Sequence, residues 1–251
     1  MIKNPVQKAF DSTASLIFGR PLGPIERYEE WLFSNMPKRR IAHASDNGKT
    51  ILLPGYSIPK FIPEKRIISM DFLGKAGNMK IAELPHELHA LGRKASEIAL
   101  FSGESQEGQS SNNLESNFFL NLNSSYRTVD CYFAKNCGCE IYSSFTENSF
   151  GCFLALYSKF VINCYYSTNL SVCFEMDGCH DCSNSMFCHN CENVNDSLFC
   201  FNAKNLKYAV GNSELGKEDY LRIRKAFLAD ALKELESSGK LELSIYNIGC
   251  Y

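Results

Sequence analysis

The chain opens with helical spacing. Between Pro5 and Phe18, apolar Val6, Phe10, Leu16, Ile17 and Phe18 predict a short helix that stops at Gly19. Pro24 opens a second helix, IERYEEWLFSNM, with Ile25, Tyr28, Leu32 and Met36 on one face and Pro37 as its stop. The segments IAHAS and KTILL flank Asp46-Asn47-Gly48, and Asn-Gly supplies the positive φ angles that a tight hairpin needs. Arg66 to Phe72 reads as a further strand. Pro85 to Leu100 reads as a third helix with Leu84, Leu88, Leu91, Ala95 and Ile98 as its apolar stripe. These elements make residues 1–101 a small mixed α+β domain.

Residues 102–113, beginning SGESQEGQSSNN, hold no aliphatic or aromatic side chain and read as a linker or exposed loop. The pattern then changes. Cys164, Cys173, Cys182, Cys191 and Cys200 recur every nine residues, a coincidence on the order of one in a million for randomly placed cysteines, so the spacing is an internal repeat. In the same register the seventh position holds Val161, Leu170, Cys179, Cys188, Ser197 and Leu206. The third holds Tyr166, Glu175, Asn184, Asn193 and Asn202. Polar turns such as STN, EMDG, VND and AKN separate stretches such as VINCY, LSVCF and SLFCF, each long enough for one short strand.

Short strands and polar turns at a constant spacing predict a β-solenoid over residues 114–212, with Asn side chains bonding from coil to coil. Two nine-residue units give about 18 residues per coil, the smallest multiple that supplies two flat sides. On that count Cys164, Cys182 and Cys200 stack on one side and Cys173 and Cys191 on the other. Residues 213–251 supply an amphipathic helix, with Leu221, Phe227, Leu228, Ala231, Leu232 and Leu235 as its stripe, to cap the end of the solenoid. The tail LELSIYNIGCY is left for an edge strand or a partner.

The run GCHDCSNSMFCHNCENVNDSLFCFNAKNLKYAVGN, followed by ELGKEDY and a helix, resembles cysteine- and asparagine-rich solenoid-like proteins predicted in genomes of uncultivated bacteria, archaea and their viruses. The resemblance covers about residues 130–225 and rests on spaced C-x-x-C and N-S elements ending in L-K-Y-A. Members of that group are largely uncharacterised, so the resemblance implies a fold more than an activity.

Composition narrows the chemistry. With 251 residues, 45% hydrophobic, the chain is ample for one or two folded domains. No run of 18 apolar residues exists, and the N-terminus reads as neither a membrane span nor a signal peptide, which points to the cytoplasm or to a virion or other particle. A net charge of −2 argues against a protein that coats nucleic acid. Eleven of the twelve cysteines lie between Cys131 and Cys200.

The sharpest chemical candidates are two C-H-x-C elements, Cys179-His180-Asp181-Cys182 and Cys188-His189-Asn190-Cys191, whose thiolates and imidazoles are ligands for zinc or iron–sulfur clusters. Three residues along a straight strand reverse the side-chain direction, so one ion is shared only if the backbone turns between the pair. Packed free thiols in a narrow interior are the alternative, and disulfides a third. His86-Glu87-Leu88-His89 has two residues between its histidines where a metalloprotease helix has three. Lys38-Arg39-Arg40 reads as a solvated helix end. No P-loop, G-x-S-x-G or dinucleotide fingerprint occurs. Glu175, Asp177 and Asp181 form the one acidic concentration that an enzyme acting on a polymer along the solenoid face could use.

These observations point to a non-enzymatic solenoid without a cofactor, a structural or assembly module that engages other proteins as a homo- or hetero-oligomer through Phe- and Tyr-bearing faces. A zinc or iron–sulfur scaffold on Cys179, Cys182, Cys188 and Cys191 is the alternative, and a polymer-acting protein the third reading.

Overall fold

The computed structural model of the protein describes residues 5–55, 61–80, 85 and 87–250. Leu84 and His86 lie outside them. Two compact units result: residues 1–36 together with 107–251, and residues 37–106. The first 36 residues thus stand with the solenoid rather than with the rest of the 1–101 segment.

In the smaller unit, β1 (Arg39–His43) and β2 (Thr50–Pro54) form the hairpin that Asn47-Gly48 announces, with Ala42 opposite Ile51. Arg40 donates to the Ile62 carbonyl at 2.8 Å. The strand expected over 66–72 is only β3 (Ile67–Ile68), paired in parallel with β4 (Phe101–Ser102) and followed by a 3-10 turn. The helix expected from Pro85 to Leu100 shortens to α3 (Leu88–Ala95). Asp46 explains the early end of β3: its carboxylate accepts from the Ser69 amide at 2.7 Å and the Ser69 hydroxyl at 2.6 Å, which bends the chain.

The larger unit is a parallel β-solenoid whose coil is 12 residues, not 18. Cys164 lies beside Met176 and Met176 beside Cys188, and bridges of the same step run on to Leu198 and Val210. The local unit is a triplet. Every third residue from Asn112 to Gly211, among them Asn163, Tyr166, Asn169, Val172 and Glu175, has φ between 47° and 70°, so each coil turns at four left-handed corners. The residue after each corner points inward, and Cys164, Cys173, Cys182, Cys191 and Cys200 all do so. Nine residues are three triplets and twelve are four, so the cysteine spacing is real but does not measure the coil. The expected two-sided stack is therefore replaced by a path around the interior.

Two amides of each triplet bond to carbonyls of neighbouring coils. The extended residue donates forward by eleven, as Val129 does to Glu140 (2.9 Å), and the corner residue donates back by thirteen, as Tyr142 does to Val129 (2.9 Å). In several coils the amide of the inward residue bonds to a Ser or Cys side chain one coil back. Cys179 donates to Ser167 Oγ at 3.1 Å and Ala209 to Ser197 Oγ at 3.2 Å. Thiols serve the same way: Cys173 accepts from the Ser185 amide and Cys179 from the Cys191 amide. A small side chain bearing a lone pair therefore serves the inward amide at these positions, while Val161, Leu170 and Val194 fill others.

Outside, one column of coils is apolar: Phe150, Ile162, Phe174, Met186 and Leu198 are buried. Helix α1 (Pro5–Phe18) covers it, with Phe10 edge-on to Phe150 at 5.1 Å and Phe18 edge-on to Phe174 at 5.2 Å. The second predicted helix is a 3-10 turn at Ile25–Tyr28 that runs into α2 (Glu29–Leu32). Helix α4 (Lys217–Ser238), stopped by left-handed Gly239, lays Phe227 against Phe187 and Phe199. The last edge is closed by the antiparallel hairpin of Ala209–Val210 with Ser213–Glu214. There the Asn212 amide replaces a missing strand, accepting from Phe201 N and donating to Phe201 O, both at 2.8 Å. The tail adds no strand; Tyr246 packs on Tyr165, and a 3-10 turn spans Ile248–Cys250.

Candidate functional site: a sulfur-lined bore and an aromatic corner

The triplet settles where the two C-H-x-C elements point. Asp181 and Asn190 are left-handed corners, so the backbone does turn within each element and Cys179, Cys182, Cys188 and Cys191 all enter the bore. His180 and His189 sit on the outer surface. His180 Nδ1 pairs with Thr168 Oγ1 at 2.7 Å and His189 Nδ1 with Asp177 at 2.7 Å, so the histidines do not join the four thiols. Among the described residues no three His, Cys, Asp or Glu side chains converge to hold one ion.

The thiols instead satisfy backbone. Cys179 Sγ donates to Asp177 O and Cys188 O, both at 3.3 Å, and Cys191 Sγ to His189 O at 3.3 Å and Cys200 O at 3.4 Å. Burial pushes the Cys173 thiol up to about 12 and holds Cys131 and Cys164 well above the ordinary range. The first coils are more polar. Glu140 is fully buried, its Oε2 accepts from Thr146 Oγ1 at 3.4 Å, and its Oε1 has no hydrogen-bond partner among the described residues. Desolvation pushes the Glu140 carboxyl up to about 8.

The acidic residues do not gather. Glu175 is buried and accepts from Asn163 Nδ2 at 2.8 Å and the Ile245 amide at 2.9 Å, with burial raising it to about 7. Asp177 accepts from the Tyr246 hydroxyl at 2.9 Å, and Asp181 from Asn169 Nδ2 at 2.9 Å on an exposed ladder. Further ladders of the expected kind join Asn190 to Asn202 and Asn193 to Asn205.

One outer corner differs. Phe133, Phe145 and Tyr157 stand one coil apart with ring centroids 5.0 Å from one another and planes within 6°, yet they are 46%, 46% and 58% exposed. Tyr132, Tyr142 and Tyr166 are exposed on the adjoining columns. On one side, from Asp130 to Asn169, its columns carry no Lys or Arg, only aromatic, aliphatic and small polar side chains plus Asp130, whereas the column on its other side holds Lys135, Glu147 and Lys159. Sequence reasoning missed this ladder because its rungs lie twelve apart, a step the nine-residue register hides.

No protein-family model matches the chain, and no curated protein matches it in sequence. Among the described residues no helix is long and apolar enough to cross a membrane.

Proposed function

We propose that the chain is a non-enzymatic solenoid module that docks a protein partner on its aromatic corner. The observation that carries this reading is the exposed Phe133–Phe145–Tyr157 stack. Monomeric proteins seldom leave contiguous aromatic surface in water, and the cores of protein interfaces are enriched in Tyr and Phe and depleted in charge. The carboxylates give no support to hydrolysis along a face, since Glu175, Asp177 and Asp181 each hold a separate structural bond.

The ladder can be removed without harming the fold, because its rings pack mainly on one another. Phe133→Ser with Phe145→Ser is expected to change stability by only about 1 kcal/mol while weakening the native complex roughly a hundredfold. Native mass spectrometry of wild-type and variant complexes checks both the partner and the loss. Retention of the same partner by the variant, or a strictly monomeric protein with no partner in its native source, contradicts the proposal. If the lost species is a dimer, the partner is a second copy of the chain.

A further inference from the structure

The inward corner that begins at Ser116 becomes a sulfur row in the later coils. Cys152, Cys164, Met176, Cys188 and Cys200 succeed one another at twelve-residue steps in one interior column, so five consecutive coils each contribute one sulfur. Cys152 and Cys164 lie in adjacent coils of this column, as do Cys188 and Cys200. Beside it, Cys179 Sγ donates to Cys188 O at 3.3 Å and Cys182 Sγ to Cys191 O at 3.8 Å. These residues belong to one packed cluster with Val161, Leu170, Cys173 and Val194. Structural need alone does not explain so much sulfur, because serine fills the same role at Ser167, Ser185 and Ser197.

We propose that this sulfur row binds soft monovalent d10 cations, copper(I) first among them. Thiolate and thioether sulfurs are the ligands that select copper(I). Among the described residues no three His, Cys, Asp or Glu side chains converge, and the sulfurs instead follow one another along the column, which suits an ion bridging neighbouring sulfurs and not a tetrahedral dication. Charge gives the same selection. From Cys152 to Ala209 the inward side chains are all neutral, so a buried dication coordinated by four thiolates would leave two uncompensated negative charges. Each copper(I) that forms a Cu–S bond releases one thiol proton to solvent, so the core stays neutral and no electron is transferred. Entry is at the C-terminal edge, where Cys200 lies in the coil closed by Asn212.

The test is anaerobic titration of the reduced full chain with copper(I) against a competing copper(I) chelator, with zinc(II) in a parallel series. Retention of roughly two to four copper ions per chain and no zinc is expected. Cys179→Ser with Cys191→Ser, which uses a residue the same column already holds at Ser143 and Ser167, is expected to lose about half of that copper. Cys131→Ser with Cys137→Ser, in the first coils, is expected to lose none. Should the first variant not fold, X-ray absorption of the copper-loaded wild type decides instead, with a sulfur-only shell of two or three ligands expected. No copper held against the chelator, zinc held in its place, equal copper in both variants, or nitrogen and oxygen in the shell overturns the proposal.

Discussion

Replacing Gly151 by alanine is expected to destabilise the solenoid by about 3 kcal/mol, the sum of a left-handed backbone penalty and overpacking. Gly151 occupies a corner at φ 70° in the row that faces α2. A Cβ there runs into the Asn163 side chain and comes within 3.0 Å of Leu32 Cδ2 and 3.1 Å of the Leu32 carbonyl oxygen. The matched control is Gly211→Ala, a corner at φ 57° with no atom within 4 Å of the new Cβ, which is expected to cost about 1 kcal/mol. Urea denaturation of the two variants separates the corner's backbone demand from the close approach of α2. Equal losses would mean that α2 does not press on the coil at Leu32.

The second large effect is on pH. Glu140 is raised to about 8 and Glu175 to about 7 by burial, above the ordinary carboxyl value of 4.5. The folded state therefore binds more protons than the unfolded state between these limits, and stability falls as pH rises from about 4.5 to 8. Its contribution is fully present below the unfolded value and lost as pH passes the folded one. At about 1.4 kcal/mol per unit, ionising Glu140 alone costs on the order of 4 kcal/mol by pH 8.5. Glu140→Gln, neutral at every pH, is expected to stabilise the protein at pH 8.5 by about 3 kcal/mol and to change little at pH 4.5. Denaturant melts followed through Trp31 at the two pH values measure this. A variant no more stable than wild type at pH 8.5 would show that the Glu140 carboxylate is compensated inside the bore.

The sequence announced the solenoid but misjudged its cross-section, and the reason is arithmetical. All three registers drawn from the nine-residue repeat had structural meaning. The cysteine position and the seventh position, with Cys179 and Cys188, point inward, and the third, with Asn184, Asn193 and Asn202, forms the left-handed corners. Asn, Asp and Gly mark such corners in a sequence, but Phe160, Val172, Phe187 and Tyr208 occupy them as well, which masks the period of three. Strand alternation misleads too, since Phe174 outside and Cys173 inside are both buried, one under α1 and one in the bore.

Helices α1 and α4 were legible from their stripes, whereas α2 and α3 are shorter than their apolar patterns imply. Of the candidate site, the cysteine repeat was legible, but neither which thiols face inward nor what neighbours them was. The placement of Cys188 and Cys200 in adjacent coils of one column depends on the 12-residue coil, and so does the stack of Phe133 on Phe145.

The docking reading turns on whether the aromatic corner is covered in the native complex. Site-specific photo-cross-linking addresses it, with a photoreactive phenylalanine analogue at position 145 and, on the Asn193–Asn205 ladder, at position 193. Cross-links to one discrete protein from position 145, absent from position 193 and abolished by Phe133→Ser, are the predicted result. Equal labelling from both positions, or none from 145 in the native source, would contradict a partner seated on the aromatic corner.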